Sequence, residues 1–286
     1  MNRPYRLALP SKGRLHQPAL ELARDAGIDV GGSGRALAAH CSRWDIEVLF
    51  ARSADIPVWL ADGAVDAAIA GRNDLVEHGS RAREVAALGF GRCALRMAVP
   101  AEAPIDRIEQ LDGRRVATSY PRTTGAHLAA AGVQAEITTL GGSVELAPRL
   151  QAADAVCDLV STGDTLRANG LRAIDTVLES EAVLAARDTA VRSHDRLTDE
   201  LATVMASVVA ARDRRYLMLN APDDALDRIV ELLPGMDSPT VLPLARGGMH
   251  AVHAVVSQDE VVGLLAPLRA AGARSLLVLP IHNLIP

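Results

Sequence analysis

The sequence predicts an α/β protein of more than one domain, on three observations. Short apolar runs of strand length alternate with helical runs over the first two thirds of the chain. The alternation restarts near residue 93, as a second lobe following the first would make it do. Beyond residue 212 the order becomes β-α-β-β-α-β, the ferredoxin-like order. A chain of 286 residues suits about two domains of ~150 residues, with a core that needs no disulfide or metal staple.

The elements are read in order as follows. Residues 5–9 form a buried strand ended by Pro10, and 15–26 a helix halted at Gly27. Residues 46–50 are a strand, 56–60 a short helix and 65–70 a strand ending at Gly71. That βαβα order predicts a parallel sheet with helices on its faces. The second series has strands at 93–99, 115–117, 136–140 and 155–160, with helices near 125–131 and over 143–150. Open α/β sheets bind ligands beyond the carboxyl ends of their strands, so the expected site is a cleft served by both lobes. Residues 196–211 are an amphipathic helix with Leu197, Leu201, Val204, Met205 and Val208 on one face. The tail places strands at 216–219, 240–244, 252–256 and 275–279, and helices at 223–233 and 260–271. Pro234-Gly235 breaks the first of these helices. His250 and His253 lie in one strand, too few ligands for a metal site.

A net charge of −5 and only 2% aromatic residues argue against a nucleic-acid or anionic-membrane binder. Three cysteines without CxxC spacing disfavour a disulfide framework or structural zinc and suit a reducing cytosol. No run of ~20 apolar residues predicts a membrane span, and the N-terminus lacks a signal-peptide pattern. The expected location is therefore cytoplasmic. Among 30 basic residues, Lys12 is the one lysine.

The most informative stretch is Asp158-Leu-Val-Ser-Thr-Gly-Asp-Thr-Leu166. A hydrophobic strand carries an acid, and a tight hydroxyl-rich turn and a helix start follow. Outward main-chain N–H groups, the helix dipole and the hydroxyls would make an anion cradle. Gly163 permits close backbone approach or positive φ. Asp158, just before the cradle, is placed to accept from a sugar diol while the turn holds the sugar's phosphate. The stretch is not a Walker P-loop, because GxxxxGK[ST] is absent.

Glu145, followed by Asp154-Ala-Val-Cys-Asp158-Leu-Val-Ser-Thr-Gly-Asp-Thr-Leu166 and Asn169-Gly-Leu171, resembles the signature of the ATP phosphoribosyltransferases, which open histidine biosynthesis. The resemblance continues at Ser11-Lys-Gly-Arg-Leu15, Asp55-Ile-Pro57, Gly71-Arg-Asn-Asp74, Ala117-Thr-Ser-Tyr-Pro121 and Gly142-Ser-Val-Glu145. It extends through Tyr216-Leu-Met-Leu219, Ser238-Pro-Thr240 and Gly272-Ala273, so it covers nearly the whole chain. It implies two periplasmic-binding-protein-like lobes plus a C-terminal ferredoxin-like (ACT-like) regulatory domain. Residues 1–92 and 180–211 would form lobe I, 93–179 lobe II and 212–286 the regulatory domain.

The implied reaction joins N1 of the adenine of ATP to the anomeric carbon of phosphoribosyl pyrophosphate and releases pyrophosphate. Mg2+ would be held by the substrate rather than by a protein cage. On this resemblance Asp158 and Lys12 are the catalytic positions. Asp158, Ser161, Thr162, Gly163, Asp164 and Thr165 bind phosphoribosyl pyrophosphate, with Asp164 turned away from the phosphate. Lys12, Gly13, Arg14, Asn73, Asp74 and Tyr120 serve the nucleotide, with Arg52 and Arg72 as weaker candidates. Thr240, Ala273 and Ser275 bind histidine as feedback inhibitor. The implied assembly is a homo-oligomer, a dimer-based hexamer. Departures from the family pattern are Gln151, where glycine is usual, Thr123-Thr-Gly125, where basic residues are common, and the tail after Ile281. The competing readings are a two-lobed binding module for small anions or amino acids, and a phosphoribosyltransferase with another acceptor.

Overall fold

The first strand, β1 (Tyr5–Pro10), is almost wholly buried and organises the sheet around it. The computed structural model describes residues 3–31, 37–187, 192–233, 238–245 and 247–285. The expected break at Pro234-Gly235 lies outside the described residues. After β1 come α1 (His16–Asp25), β2 (Ala38–Cys41), β3 (Ile46–Ala51), α2 (Ile56–Ala61), β4 (Ala67–Gly71), α3 (Arg72–His78) and β5 (Arg83–Ala87). The second lobe carries β6 (Cys93–Pro100), β7 (Arg115–Thr118), α4 (Pro121–Ala130), β8 (Glu136–Thr139), β9 (Ala155–Val160), α5 (Asp164–Ala168) and β10 (Leu171–Ser180). The chain then supplies β11 (Ala182–Ala186) and the long α6 (Arg192–Arg212). The remainder is β12 (Arg214–Pro222), α7 (Leu226–Glu231), β13 (Thr240–Pro243), β14 (Met249–Ser257), α8 (Gln258–Ala270) and β15 (Arg274–Pro280).

Two compact units result, Met1–Ala202 and Thr203–Pro286. The first contains two sheets. One has the order β2-β3-β1-β4-β11-β5, the other β10-β6-β9-β7-β8. Neither is the uniformly parallel sheet expected from the βαβα order. Only β3-β1-β4 and β9-β7-β8 run parallel. β2 pairs with β3 antiparallel, and β10 with β6. β11 enters antiparallel between β4 and β5 as the chain returns from the second lobe. The helix expected over 143–150 is a single 3-10 turn, Val144–Leu146, because Ser143 takes a left-handed backbone and Pro148 interrupts the following turns.

Few aromatics are needed because the central strands are alanine-rich and pack closely. Ala67, Ala68, Ile69 and Ala70 of β4 are fully buried, as are Leu7 and Leu9 of β1. In the second lobe, Leu95, Met97, Val116, Leu128 and Cys157 fill one side of the sheet, and Ala98, Val144, Val156, Leu166 and Leu171 the other. Asp66 is the buried polar anchor of the first lobe. It receives Arg3, the Arg6 N–H, His194 from α6 and, at 3.3 Å, Arg187. Tyr5 adds a 2.7 Å bond to Thr198.

The second unit has sheet order β13-β14-β12-β15, with every neighbour antiparallel. Its first and third strands are therefore central, the ferredoxin-like arrangement. Leu217, Leu219, Ile229, Val252, Val256 and Leu268 form its core beneath α7 and α8.

Candidate functional site

The segment that drew attention in sequence is built as strand, turn and short helix. β9 ends at Val160, Ser161–Gly163 make the turn, and α5 begins at Asp164. Gly163 has φ +82°, a backbone that a side chain would strain, and a Cβ there would press on the Arg167 guanidinium at 3.1 Å. α5 has only five residues. Its dipole is correspondingly weak, which corrects the expected share of helix-dipole attraction in the cradle. Main-chain N–H groups remain the principal donors: among the described residues those of Ser161, Thr162 and Gly163 donate to no protein acceptor. The Asp164 carboxylate is turned back on its own turn. It accepts from the Thr162 hydroxyl at 2.6 Å and from Arg167 at 2.5 Å, and these partners hold its pKa below the usual carboxylate range.

Asp158 sits within β9, half-buried, and accepts the Leu159 N–H at 2.8 Å. Burial pushes its pKa up; the Leu159 bond opposes this, and the negative charge of Glu145 adds to it. Asp158, Glu145, Thr165 and the turn 161–163 line a cavity of about 140 Å³. On the other side of the same turn is a cavity of about 330 Å³, lined by Arg96, Arg167, Arg172 and the 161–163 turn. The neighbouring Cys157 thiol is pushed up to about 12 by burial and is not a nucleophile at neutral pH.

The first lobe contributes its own acid to the same cleft. Asp74 lies in the first turn of α3, and burial raises its pKa against the lowering influence of Arg14 and His78. Asn73 donates to Asp74 at 2.9 Å and to the Tyr120 hydroxyl of the second lobe at 3.2 Å. Burial raises the Tyr120 phenol pKa, and the negative charges of Asp74 and Asp158 raise it further. Asn73, Asp74, Arg14, Tyr120 and Asp158 are thus one electrostatic neighbourhood. The Tyr120 ring packs on the second lobe's core. Arg14 reaches the Cys93 sulfur at 2.9 Å. Lys12 is exposed on the turn after β1, next to Gly13 with φ +83°. Arg72 is occupied by Glu84 and Glu181.

Sequence reasoning missed two residues here. Glu77 of α3 crosses between lobes and accepts from the N–H groups of Arg122 and Thr123 and from the Thr123 hydroxyl. It caps α4, the helix that begins after Tyr120. Nothing in the local sequence signals this, because the partner is another lobe's helix terminus. Arg96 is a charged residue inside an apolar strand, the same signal that singled out Asp158.

The three residues expected to bind the effector do not meet within one chain. Thr240 is on β13 and Ser275 on β15, opposite edges of the four-stranded sheet. Three strand spacings of about 4.8 Å separate those edges. Ala273 is buried beside β15. Among the described residues, no group of three His, Cys, Asp or Glu side chains gathers to hold a metal ion. No helix among them is long and apolar enough to cross a membrane.

Residues 52–207 match the family model of ATP phosphoribosyltransferase (HisG), and residues 211–283 match that of the HisG C-terminal domain. The ATP phosphoribosyltransferase of Cytophaga hutchinsonii is 39% identical over 285 residues, covering 100% of both chains. That of Haloarcula marismortui is 42% identical over 283 residues, covering 98% of this chain and 99% of its own. Among solved structures, the ATP phosphoribosyl transferase (HisG:HisZ) complex from Thermotoga maritima aligns with a TM-score of 0.62 at 24% identity, covering 71% of this chain and 98% of that chain; this is a likeness of fold. Matched from end to end and carrying both family segments, the chain belongs to the ATP phosphoribosyltransferase family of enzymes.

Proposed function

We propose that the protein transfers the phosphoribosyl group of phosphoribosyl pyrophosphate to N1 of the adenine of ATP, releasing pyrophosphate. The observation that carries this reading is the cavity shared by Asp158, Glu145 and the amide-lined turn 161–163. In this reading Asp158 accepts hydrogen bonds from the ribose hydroxyls, and Ser161, Thr162, Gly163 and Thr165 wrap the 5-phosphate. Asp164 stays paired with Arg167. Lys12, Gly13 and Arg14 face the nucleotide or pyrophosphate from the turn after β1, while Asn73, Asp74 and Tyr120 flank the adenine.

The C1–pyrophosphate bond breaks as N1 of adenine forms its bond to C1. N1 is neutral and needs no strong base. The burden falls on positioning and on electrostatic support of a ribosyl centre that becomes cationic. Asp158 and Asp74, held in a partly desolvated cleft, supply negative charge on that centre's side. Mg2+, when bound, would neutralise the leaving pyrophosphate, with substrate oxygens and water as most of its ligands.

The same reading assigns lobe I to 1–92 with 180–211, lobe II to 93–179 and a regulatory domain to 212–286. It places the enzyme in the cytoplasm, in histidine biosynthesis, with histidine as feedback inhibitor. Because Thr240 and Ser275 lie on opposite sheet edges, a histidine site using both requires edges from two copies, which supports a homo-oligomer. Incubation with ATP, phosphoribosyl pyrophosphate, Mg2+ and pyrophosphatase tests the reaction. Mass detection of a nucleotide heavier by one phosphoribosyl group is expected, and its formation should fall when histidine is added. Consumption of neither substrate would overturn the reading.

A further inference from the structure

A sugar phosphate brings a dianion, yet the donors of the 161–163 turn are neutral and the helix behind them has only five residues. Some cation should complete the cradle. Three arginines line the larger cavity beside the turn. Arg167 is bound to Asp164 at 2.5 Å and to the Thr162 carbonyl at 3.4 Å. Arg172 is bound to the carbonyls of Ala101, Ala103 and Ile105 and to Asp106. Both are neutralised or consumed by the protein itself. Arg96 differs: among the described residues its guanidinium donates to no protein acceptor.

Its placement is fixed by the sheet. Arg96 of β6 lies opposite Asp158 of β9 in the antiparallel register, so both side chains leave the same face. They diverge around the turn. Asp158 lines the 140 Å³ cavity and Arg96 the 330 Å³ one, and Ser161, Thr162 and Gly163 line both. One face thus presents a diol acceptor and a phosphate-matching fork on either side of the same free amides. A guanidinium binds a phosphate with two parallel charge-assisted bonds and stays charged at every physiological pH.

We propose that Arg96 is the cation that binds the phosphate monoester of the sugar phosphate, acting with the main-chain amides of Ser161, Thr162 and Gly163. The inference rests on the proposed function of this site and adds to it a residue that sets affinity for the 5-phosphate. It calls for binding strength rather than chemistry, because the phosphate does not change charge during transfer; the contact is as strong in the ground state as in the transition state.

The test is calorimetric titration of wild type, Arg96→Gln and Arg96→Lys with ribose 5-phosphate, inorganic phosphate and ribose. Thermal melting confirms that each variant is folded, and Arg96→Lys keeps the charge should Arg96→Gln fail to fold. The expected result is a loss of at least ~10-fold in affinity for ribose 5-phosphate and for inorganic phosphate in Arg96→Gln, with a smaller loss in Arg96→Lys. In turnover, KM for phosphoribosyl pyrophosphate should rise by a similar factor while kcat and the KM for ATP stay within ~3-fold. Wild-type affinity for ribose 5-phosphate in Arg96→Gln overturns the proposal, as does absence of phosphate binding by wild type. The two claims fail separately. An active wild type with an indifferent Arg96→Gln removes Arg96 alone. An inactive wild type whose phosphate binding depends on Arg96 removes the reaction and leaves the anion site.

Discussion

Replacing Gln151 by glycine should stabilise the protein. Gln151 precedes β9 and has φ +56°, a left-handed conformation that a residue with a Cβ adopts at a cost of about 1–2 kcal/mol. The conformation is held by its surroundings. The Gln151 N–H bonds to the Pro148 carbonyl at 3.0 Å, its own carbonyl accepts from Arg115 at 2.9 Å, and the next N–H, of Ala152, closes back on Ala147. All three bonds are main-chain on the side of residue 151, so glycine keeps them. The side chain is exposed and its loss leaves no cavity. Against relief of the strain stands the greater freedom of glycine in the unfolded chain, about 0.5–1 kcal/mol. The net gain is about 0.75 kcal/mol at mid-range. For a unit of this size that raises the melting temperature by roughly 1–3 °C. Differential scanning calorimetry of wild type, Gln151→Gly and Gln151→Ala decides it. Alanine retains the Cβ and the strain, so it should gain nothing. If glycine melts at or below wild type, or alanine gains as much as glycine, the backbone of residue 151 is not the source of strain.

Asp158→Asn should lower kcat/KM for phosphoribosyl pyrophosphate by at least ~10-fold while melting no lower than wild type, since a carboxylate whose pKa burial raises costs stability when ionised; a fall in both would mean that Asp158 is mainly structural. Glu77→Ala removes three hydrogen bonds between lobes and leaves the start of α4 uncapped, so the melting temperature should drop by a few degrees and small-angle scattering should show a larger radius of gyration without substrate. Unchanged scattering would show that the lobes are held without it. Burial pushes the Asp66 pKa up, but Arg3, the Arg6 N–H and His194 outweigh this and hold it below the ordinary value. Its contribution is therefore fully present above the unfolded pKa of about 3.9 and lost as pH falls through the folded value. The gap in urea midpoint between wild type and Asp66→Asn should be wide at pH 7 and narrow at pH 3; a constant gap would refute the assignment.

What could be read from sequence was whatever a residue reveals through its immediate neighbours. Asp158 stood out because an acid within an apolar strand is costly unless it has work to do, and the small, hydroxyl-rich turn after it could hardly be anything but a tight connection. The β-α-β-β-α-β order of the tail was visible because each element there carries its own period. β10 and β11 went unread: β10 mixes Arg172, Asp175, Thr176 and Glu179 with apolar residues and bulges twice, so no clean alternation survives. The direction of β11 depends on the chain leaving lobe II, which no local pattern encodes. The expected helix over 143–150 failed for the opposite reason. Its apolar spacing was adequate, but left-handed backbones at Ser143 and Gln151 confine it to one turn. Glu77 was invisible because its meaning lies in the approach of α3 to α4. Arg96 carries the same signal as Asp158, a charge within a buried strand, but no recognisable turn follows it to mark a site.

The arrangement also indicates at which point of the reaction the negative charge of the cleft is best matched. Asp74 comes from one lobe and Asp158 from the other, both have raised pKa values through burial, and both act on the Tyr120 phenol between them. Each costs stability when ionised through its own burial, offset in part by Arg14 and His78 at Asp74 and by the Leu159 N–H at Asp158. Glu77 and Asn73 bond across the two lobes and hold them in contact. In the proposed reaction the group that offsets this cost of burial is the ribosyl carbon as it becomes cationic. Negative charge that the empty protein carries at a cost is then matched most closely at the point of bond exchange. Stabilisation that is greater in the transition state than in the ground state is what raises kcat. Neutralising either carboxylate should accordingly make the protein more stable and the enzyme slower, and the two effects should appear together at Asp74 as at Asp158.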